Sequence, residues 1–235
     1  ASRRQAFGRP LIEHPLHAQT LADMQAQFEA AFALAFEVAH LLGRVEQGEA
    51  SPEEASVLRL LTPLAKLWTG KLAVKICSEA LECFGGAGYI EDTGLPQLLR
   101  DAQVYAIWEG TTNVLSLDSL RALAGDSLAA LRTASLRWLD ANDDMHAGSA
   151  IRQTLDAAAR WLDQHGDGRQ GLEAGARGFA FTLARCAAAA LLARQASWSN
   201  HHGDRRPAAA LHRFVSHGLD RLASPDAGNV ALLLG

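Results

Sequence analysis

Apolar residues that recur at helical spacing constrain this chain more than any other feature of its sequence. Between His17 and Leu42 they return every three or four positions, which is the period of one face of an α-helix. A second stretch, from about Pro52 to Phe84, is rich in helix-forming residues and ends at a pair of glycines. Between the two, Ser51, Pro52 and Glu54 have the types and spacing of an N-cap, a first-turn proline and a capping-box acid.

Two long helices joined by a short connection predict an antiparallel hairpin, which is half of an up-and-down four-helix bundle. The stretches "LPQLLRDAQVYAI" and "TTNVLSLDSLRALAG" predict two shorter helices, and apolar patterns over 151–162, 179–194 and 211–222 predict others. No stretch has an alternation of β-branched residues long enough for a strand. The sequence therefore predicts an all-α fold, with a four-helix bundle over residues 1–124 and a helical extension, treated as a separate subdomain, over 125–235.

The two parts differ in charge. Residues 1–124 carry 10 lysines and arginines against 15 aspartates and glutamates, a net charge of −5, and residues 125–235 carry 12 against 11, a net charge of +1. The total of −4 argues against a general polyanion binder, because affinity for nucleic acid depends on neutralising phosphates with lysine and arginine. Nucleic acid is therefore not an expected partner.

The cysteines and the longest apolar run indicate where in the cell the protein is expected. Three cysteines without a CxxC spacing predict buried thiols in a reducing compartment, so we expect a cytoplasmic protein. The nearly uncharged run 187–192, with its flanks, is too short and too rich in alanine for a bilayer span, so no membrane is expected. The chain begins without a methionine, from which we expect a fragment or a processed product.

The second part also contains a group of histidines and three tryptophans. No acidic residue has metal-ligand spacing to the histidines, which predicts surface positions and no metal site. The tryptophans lie in helical segments, which favours the core. The histidines are His201, His202, His212 and His217; the tryptophans are Trp138, Trp161 and Trp198.

The stretch "RDAQVYAIWEGTTNVLSL" contains an isolated carboxylate, Glu109, whose nearest charged neighbours in sequence are Asp101 and Asp118. One interpretation is an acid at the start of the helix that follows Gly110, where the helix dipole favours negative charge. The other is a base desolvated by the apolar residues on either side. Such burial would raise the pKa of the carboxyl, as the deprotonation of a weakly acidic carbon requires. The residues alone leave both interpretations open.

The glycine run "GGAG" at 85–88 also has two interpretations. It follows a helix and not a strand, so it is not a dinucleotide fingerprint. It is either a helix C-cap and loop, or a site where backbone N–H groups approach a phosphate. Arg4 is likewise either a solvated residue near the chain end or, with Phe7, a group that grips a pyrophosphate and stacks on an adenine.

Five motifs in this order resemble the C-terminal helical domain of flavin-dependent acyl-CoA dehydrogenases, over roughly residues 1–124. They are "RxxFG" at Arg4–Gly8, "LADM" at Leu21–Met24, "GGxGY" at Gly85–Tyr89, "RDA" at Arg100–Ala102 and "IWEGT" at Ile107–Thr111. The "LP" before "RD", and "LSLDSLRAL" after "IWEGT", look most like the alkylation-response (AidB-like) branch, which also has a helical extension.

The resemblance implies that Glu109 is the base that removes the α-proton of an acyl-CoA thioester while the β-hydrogen leaves as hydride to FAD. It further implies that the Glu109 backbone N–H hydrogen-bonds the thioester oxygen, together with a flavin hydroxyl. Gly110 would permit the turn that aims both groups at the substrate. Thr111 and Asn113 match positions that lie along the flavin.

Four other residues, Arg4, Phe7, Gly85 and Gly86, match positions that reach the ADP half of the flavin of a neighbouring subunit. Glu82 stands where many members have glutamine. Because a carboxylate repels a pyrophosphate, the resemblance implies that Glu82 binds a ribose hydroxyl or that the site is altered. The family packs such bundles into dimers of dimers, so we expect a homotetramer, with an electron-transfer flavoprotein as electron acceptor.

Most flavin contacts in the family lie in an N-terminal helical domain and a middle β-domain, which this sequence lacks. We therefore expect this chain alone to be inactive and the activity to belong to a longer parent. Two other functions stay open at this point. One is an alkylation-response protein that associates with nucleic acid, and the other is a catalytically silent oligomerisation bundle.

Overall fold

The computed structural model describes residues 1–123, 125–139, 144–166, 168–224 and 226–235, and most of these residues lie in α-helices. The helices are α1 (Pro15–Glu46), α2 (Pro52–Phe84), α3 (Leu95–Tyr105), α4 (Thr112–Ala122), α5 (Ser127–Leu139), α6 (Met145–His165), α7 (Arg169–His201), α8 (Arg206–Ser216) and α9 (Ala227–Leu234). The strands in these ranges are two residues long, β1 (Gln5–Ala6) and β2 (Arg9–Pro10), and they pair antiparallel. Short 3₁₀ helices span Leu11–Glu13, Gly85–Gly88 and Glu91–Thr93. The all-α prediction is confirmed.

The predicted hairpin of two long helices is formed by α1 and α2. The Ser51 hydroxyl accepts a hydrogen bond from the Glu54 N–H at 3.2 Å, and the Glu54 carboxylate accepts one from the Ser51 N–H at 2.8 Å. Arg44, near the end of α1, donates to both carboxylate oxygens of Glu54. The predicted capping box is therefore present, and it fixes both the start of α2 at Pro52 and the connection to α1.

The core lies around α7. Every residue from 182 to 193 is buried, so the helix has protein on all sides. It packs against α1, α2, α4, α5, α6 and α8. The helical extension after residue 124 is present, but its helices share one hydrophobic cluster with α1 and α2. The boundary at residue 124 thus does not separate two cores, and as a domain boundary it stays a prediction.

Helix α7 is longer than the predicted 179–194, because its polar first turns hide its start in the sequence. Among the described residues it is the one helix long and apolar enough to cross a membrane, with a mean hydropathy of 1.3 over an 18-residue window. The expectation that this run is too short for a bilayer is therefore corrected. Since 83% of that window is buried, core packing accounts for its composition.

Several predictions of burial are also corrected. Trp138 and Trp161 are buried as predicted, but Trp198 is 60% exposed and lies against the His202 ring at 4.1 Å. Cys186 is buried, whereas Cys77 and Cys83 are only partly buried. The four histidines named above are exposed, as predicted.

Candidate functional site

Residues 108–111, here called the Glu109 turn, form the last part of the connection between α3 and α4, and they have an unusual backbone. Glu109 has φ +55° and Gly110 has φ +110°, so two consecutive residues are left-handed. A residue other than glycine in this region costs about 1–3 kcal/mol and persists only where its surroundings hold it. At Gly110 the conformation favours glycine, and an added Cβ would also make a tight contact of 3.2 Å with the Leu115 side chain.

The Glu109 turn is held by a lysine that projects from α2. The Lys66 Nζ donates to the carbonyl oxygen of Trp108 and, at 2.8 Å, to that of Gly110. One helical turn further along α2, an added Cβ at Gly70 would lie 2.6 Å from the carbonyl oxygen of Tyr105, the last residue of α3. The end of α3 therefore lies directly against the backbone of α2.

The predicted site residues of this region lie together, and they are exposed. Glu109, Thr111 and Asn113 are exposed, and Gly110 is half-buried. The expectation of a carboxylate desolvated by its sequence neighbours is wrong for this chain, because Ile107 and Trp108 are themselves 64% and 67% exposed. The other interpretation, a first-turn acid, is wrong as well, since α4 has no acidic residue in its first turn.

Glu109 lines a groove of about 450 Å³ between α2 and the end of α3. The other walls include Lys66, Gly70, Tyr105 and Trp108. Within the described ranges no hydrogen bond is recorded from the backbone N–H of Glu109. The turn therefore presents both a carboxylate and a backbone donor to whatever lies against it.

A second group of predicted residues, here called the Arg4–Gly85 cluster, consists of Arg4, Phe7, Glu82, Gly85 and Gly86. Arg4 Nη1 donates to the Phe84 carbonyl at 2.6 Å, and an added Cβ at Gly85 would lie 3.6 Å from Arg4 Nη2. The Gly85 N–H bonds to the Glu82 carbonyl and ends α2. The structure thus brings the start of the chain to the glycine run.

The glycines of this run differ in their surroundings. Gly85 has φ +61°, and a Cβ at Gly88 would collide with the Leu81 carbonyl, so both have structural reasons to be glycine. An added Cβ at Gly86 would meet no described atom within 4 Å. Phe7, at φ +50°, is 97% exposed beside the ring of His14. The glycine run therefore contains both a helix C-cap, at Gly85, and an open surface, at Gly86.

The two groups lie far apart on the chain's surface. Lys66 beside the Glu109 turn and Gly85 are separated by 19 residues of α2, roughly 28 Å along the helix axis. The predicted catalytic and phosphate-binding residues therefore form two separate surfaces.

Known protein families match both parts of the chain. Residues 1–124 match the family model described as "Acyl-CoA dehydrogenase, C-terminal domain". The chain belongs to the acyl-CoA dehydrogenase family. Residues 134–227 match a second model, "Acyl-CoA dehydrogenase 11 C-terminal domain-like". The family predicted from the five motifs is confirmed.

Individual relatives are similar to this chain over different shares of its length. Acyl-CoA dehydrogenase family member 11 of Caenorhabditis elegans is 44% identical over 211 residues, covering 85% of this chain and 34% of the relative. Putative acyl-CoA dehydrogenase AidB of Escherichia coli (strain K12) is 42% identical over 123 residues, covering 52% of this chain and 22% of the relative. The chain thus spans about a third or less of the length of these relatives.

A solved structure extends the likeness to the whole fold. The crystal structure of Caenorhabditis elegans ACDH-11 in complex with C11-CoA matches with a TM-score of 0.87 at 40% identity, covering 93% of this chain and 39% of that one. The AidB-like branch is not singled out, because AidB matches about half of the chain and the extension resembles acyl-CoA dehydrogenase 11.

Lys66 is the residue of this site that the sequence did not reveal. A lysine on an amphipathic helix is ordinarily solvated, and the carbonyls it binds lie 42 and 44 residues further along the chain. The nearest signal in the sequence was that all three lysines, Lys66, Lys71 and Lys75, lie in α2.

Proposed function

We propose that this chain is the C-terminal part of a flavin-dependent acyl-CoA dehydrogenase in which Glu109 removes the α-proton of an acyl-CoA thioester. The observation that carries the proposal is the Glu109 turn itself. An exposed carboxylate is held on two consecutive left-handed residues at the edge of a groove, a strained arrangement typical of functional sites. The relative that was crystallised with C11-CoA supports an acyl-CoA substrate.

The chemistry assigns two roles to one residue. The Glu109 carboxylate takes the α-proton as the carbon–carbon double bond forms. FAD, when bound, would supply the acceptor for the β-hydrogen, which leaves as hydride with the electron pair of its bond to carbon. The Glu109 N–H, which has no recorded acceptor in the described structure, donates to the thioester oxygen as negative charge develops there.

A carboxylate base for a weakly acidic carbon works best in a desolvated site, and covering the Glu109 turn would provide one. Val104, Tyr105, Ile107 and Trp108 are between 50% and 67% exposed around the carboxylate. We propose that other parts of the enzyme, with the substrate, bury these side chains and desolvate Glu109.

The residues that would hold FAD fit the group in two places. Thr111 occupies the N-cap position of α4, and its side chain makes no capping hydrogen bond. We propose that Thr111 and the exposed Asn113 contact the flavin. In the Arg4–Gly85 cluster, the open surface at Gly86 and the exposed Arg4 suit a pyrophosphate, and the exposed Phe7 suits an adenine. Glu82 would then bind a ribose hydroxyl.

The separation of roughly 28 Å along α2 supports the assignment of these two surfaces to two different flavins, one of them bound by a neighbouring subunit. A flavin shared with a neighbouring subunit requires an oligomer. We propose a homotetramer with an electron-transfer flavoprotein as electron acceptor, as the family resemblance implies. The AidB-like branch also stays a proposal. It is supported by the 42% identity over the first part of the chain, and a salt-dependent DNA-binding titration would test the nucleic-acid association it suggests.

The proposal is tested by flavin reduction in the full-length, FAD-loaded protein. On mixing with saturating C11-CoA in a stopped-flow instrument, Glu109→Gln should reduce the rate of flavin bleaching by about 10²–10⁴-fold, as is typical when a general base is lost. Its flavin content should not change, because the substitution is isosteric and lies far from the Arg4–Gly85 cluster. Thr111→Ala should lower flavin content more than the bleaching rate. An unchanged bleaching rate in Glu109→Gln would overturn the proposal.

A further inference from the structure

The ammonium group of Lys66 binds the backbone on both sides of Glu109. Its Nζ donates to the Trp108 carbonyl, which belongs to the peptide bond preceding Glu109, and at 2.8 Å to the Gly110 carbonyl, one residue beyond it. A single cation therefore bridges the two ends of the left-handed segment. Because the backbone on either side is held by Lys66, the N–H of Glu109 and the Cα–Cβ bond that carries its carboxylate have limited freedom to reorient.

The position of this ammonium also suits the end of α3. The last carbonyls of a helix lack partners within the helix, and a cation there interacts favourably with the helix dipole. The Trp108 N–H still bonds back to the Val104 carbonyl at 2.8 Å, so the Glu109 turn continues directly from the last turn of α3. Lys66 thus binds two backbone carbonyls just beyond the end of α3.

The platform that carries Lys66 is rigid. Its neighbours in sequence, Leu64, Ala65, Leu67 and Trp68, are all buried in the core. The absence of a Cβ at Gly70 lets α2 and the end of α3 come into direct backbone contact. The lysine stem therefore starts from a fixed point at a short distance from the turn.

We propose that Lys66 is a positioning residue for the catalytic base, which sets the direction of the Glu109 carboxylate and of the Glu109 N–H without touching the substrate. This inference rests on the proposed function, because it concerns the same site. Displacement of a reacting group by about 1 Å can cost about 10²-fold in rate, so loss of the ammonium should act on the chemical step.

The first test compares lysines on one helix in the full-length, FAD-loaded protein. Lys66→Met keeps the side-chain stem and removes the ammonium, and Lys71→Met changes an exposed lysine of α2 as the matched control. We expect Lys66→Met to lower the rate of flavin bleaching at saturating C11-CoA by about 10- to 100-fold. The half-saturating concentration should change less than about threefold, because both hydrogen bonds of the ammonium go to backbone carbonyls of the Glu109 turn. Lys71→Met should match the unmodified protein.

The second test asks whether Lys66 acts through Glu109. If it does, adding Lys66→Met to Glu109→Gln should slow the residual bleaching by less than about twofold, because the group being positioned is already lost. Ethylammonium added to Lys66→Ala should restore part of the rate, since the groove beside the turn is open to a small amine. A purely structural lysine would show neither behaviour.

The outcomes separate the two proposals. The positioning role is overturned if Lys66→Met bleaches at the unmodified rate, or if it slows Glu109→Gln as much as it slows the unmodified protein. It is also overturned if Lys66→Met loses its flavin or its fold and ethylammonium does not restore Lys66→Ala. In each of these cases, slow flavin bleaching in Glu109→Gln would still support the proposed function. If Glu109→Gln itself bleaches at the unmodified rate, both proposals fail together.

Discussion

Helices α2 and α7 both have 33 residues, but they are held in the fold by different features. In α2 the buried residues lie between Val57 and Leu72, and its two ends are fixed by the capping box and by Gly85. In α7 burial is continuous from 182 to 193, on every side of the helix. The two groups of candidate site residues lie against α2, which is only partly covered, while α7 fills the core that supports it.

The difference between α2 and α7 allows effects on the stability of the fold to be distinguished from effects on the chemical step. Substitutions often change both. A lesion in α7 should lower the stability of the fold with little effect on the chemistry of those molecules that remain folded. A lesion where α2 meets α3 should change both, because the same contacts support the fold and direct Glu109.

The largest expected effect on stability is at Phe179 of α7, which is fully buried and stacks on Trp161 at 5.2 Å. Phe179→Ala should lower the free energy of unfolding by about 3–5 kcal/mol, through lost burial and the cavity it leaves. The flavin-bleaching rate, normalised to bound flavin, should stay within about twofold of the unmodified rate, since the core does not touch the reacting groups. Urea unfolding and stopped-flow bleaching measure the two effects.

Trp198→Ala is the matched control for Phe179→Ala, because it removes a large aromatic group from the same helix where it is 60% exposed. Its cost in stability should be much smaller. The distinction between the two helices would break down if Phe179→Ala slowed the chemistry of the folded protein severely.

A smaller effect, on both stability and rate, is expected at Gly70 of α2. Alanine is ordinarily the better helix former by about 1 kcal/mol, but here its Cβ would lie 2.6 Å from the Tyr105 carbonyl oxygen. Gly70→Ala should therefore destabilise the fold by about 1–3 kcal/mol, as is usual for overpacking. It should also slow flavin bleaching, because it pushes the end of α3 away from α2.

Gly43 in α1 provides the comparison, since a Cβ added there meets nothing within 4 Å. Gly43→Ala should stabilise the protein by about 0.5–1 kcal/mol and leave the bleaching rate unchanged. If both substitutions behaved alike in thermal unfolding, the close approach of α2 and α3 would not be a determinant of the site.

The smallest effect concerns pH and the start of α2. Hydrogen bonds from the Ser51 N–H and then from Arg44 lower the pKa of Glu54 from its ordinary 4.5 to about 2. Because the folded-state pKa is the lower one, the stabilisation is complete above about pH 4.5 and is lost as the pH falls toward 2. Glu54→Gln keeps a capping amide, so its deficit in unfolding temperature should be constant above pH 5 and shrink below it. A deficit that persists unchanged to pH 2 would contradict this assignment.

The contrast between α2 and α7 also explains which helix bounds could be predicted from the sequence. The bounds of α2 were predicted correctly because Ser51, Pro52 and Glu54 mark its start and Gly85 its end. Those of α7 were not, because it has no side-chain cap and its first turns contain polar residues such as Arg169 and Glu173.

The functional assignment of the candidate site residues stays a prediction, but the structure shows which of them lie together. Glu109, Thr111 and Asn113 are near one another along the chain, and Arg4 contacts the glycine run at Gly85. The exposure of Glu109 could not be predicted, since it depends on whether the apolar side chains beside it are covered. Nor could the hydrogen bonds of Lys66, because they depend on the packing of α3 against α2 and not on any local pattern.

The central claim, that Glu109 is the base, is tested most directly by following the α-proton itself. The full-length, FAD-loaded protein is incubated with C11-CoA in D₂O without oxygen, and deuterium at the α-carbon is measured by mass spectrometry. The unmodified protein should incorporate deuterium, and Glu109→Gln should do so about 10²–10⁴-fold more slowly while retaining its flavin. Incorporation at equal rates in the two proteins would contradict the account, and another group would have to remove the proton.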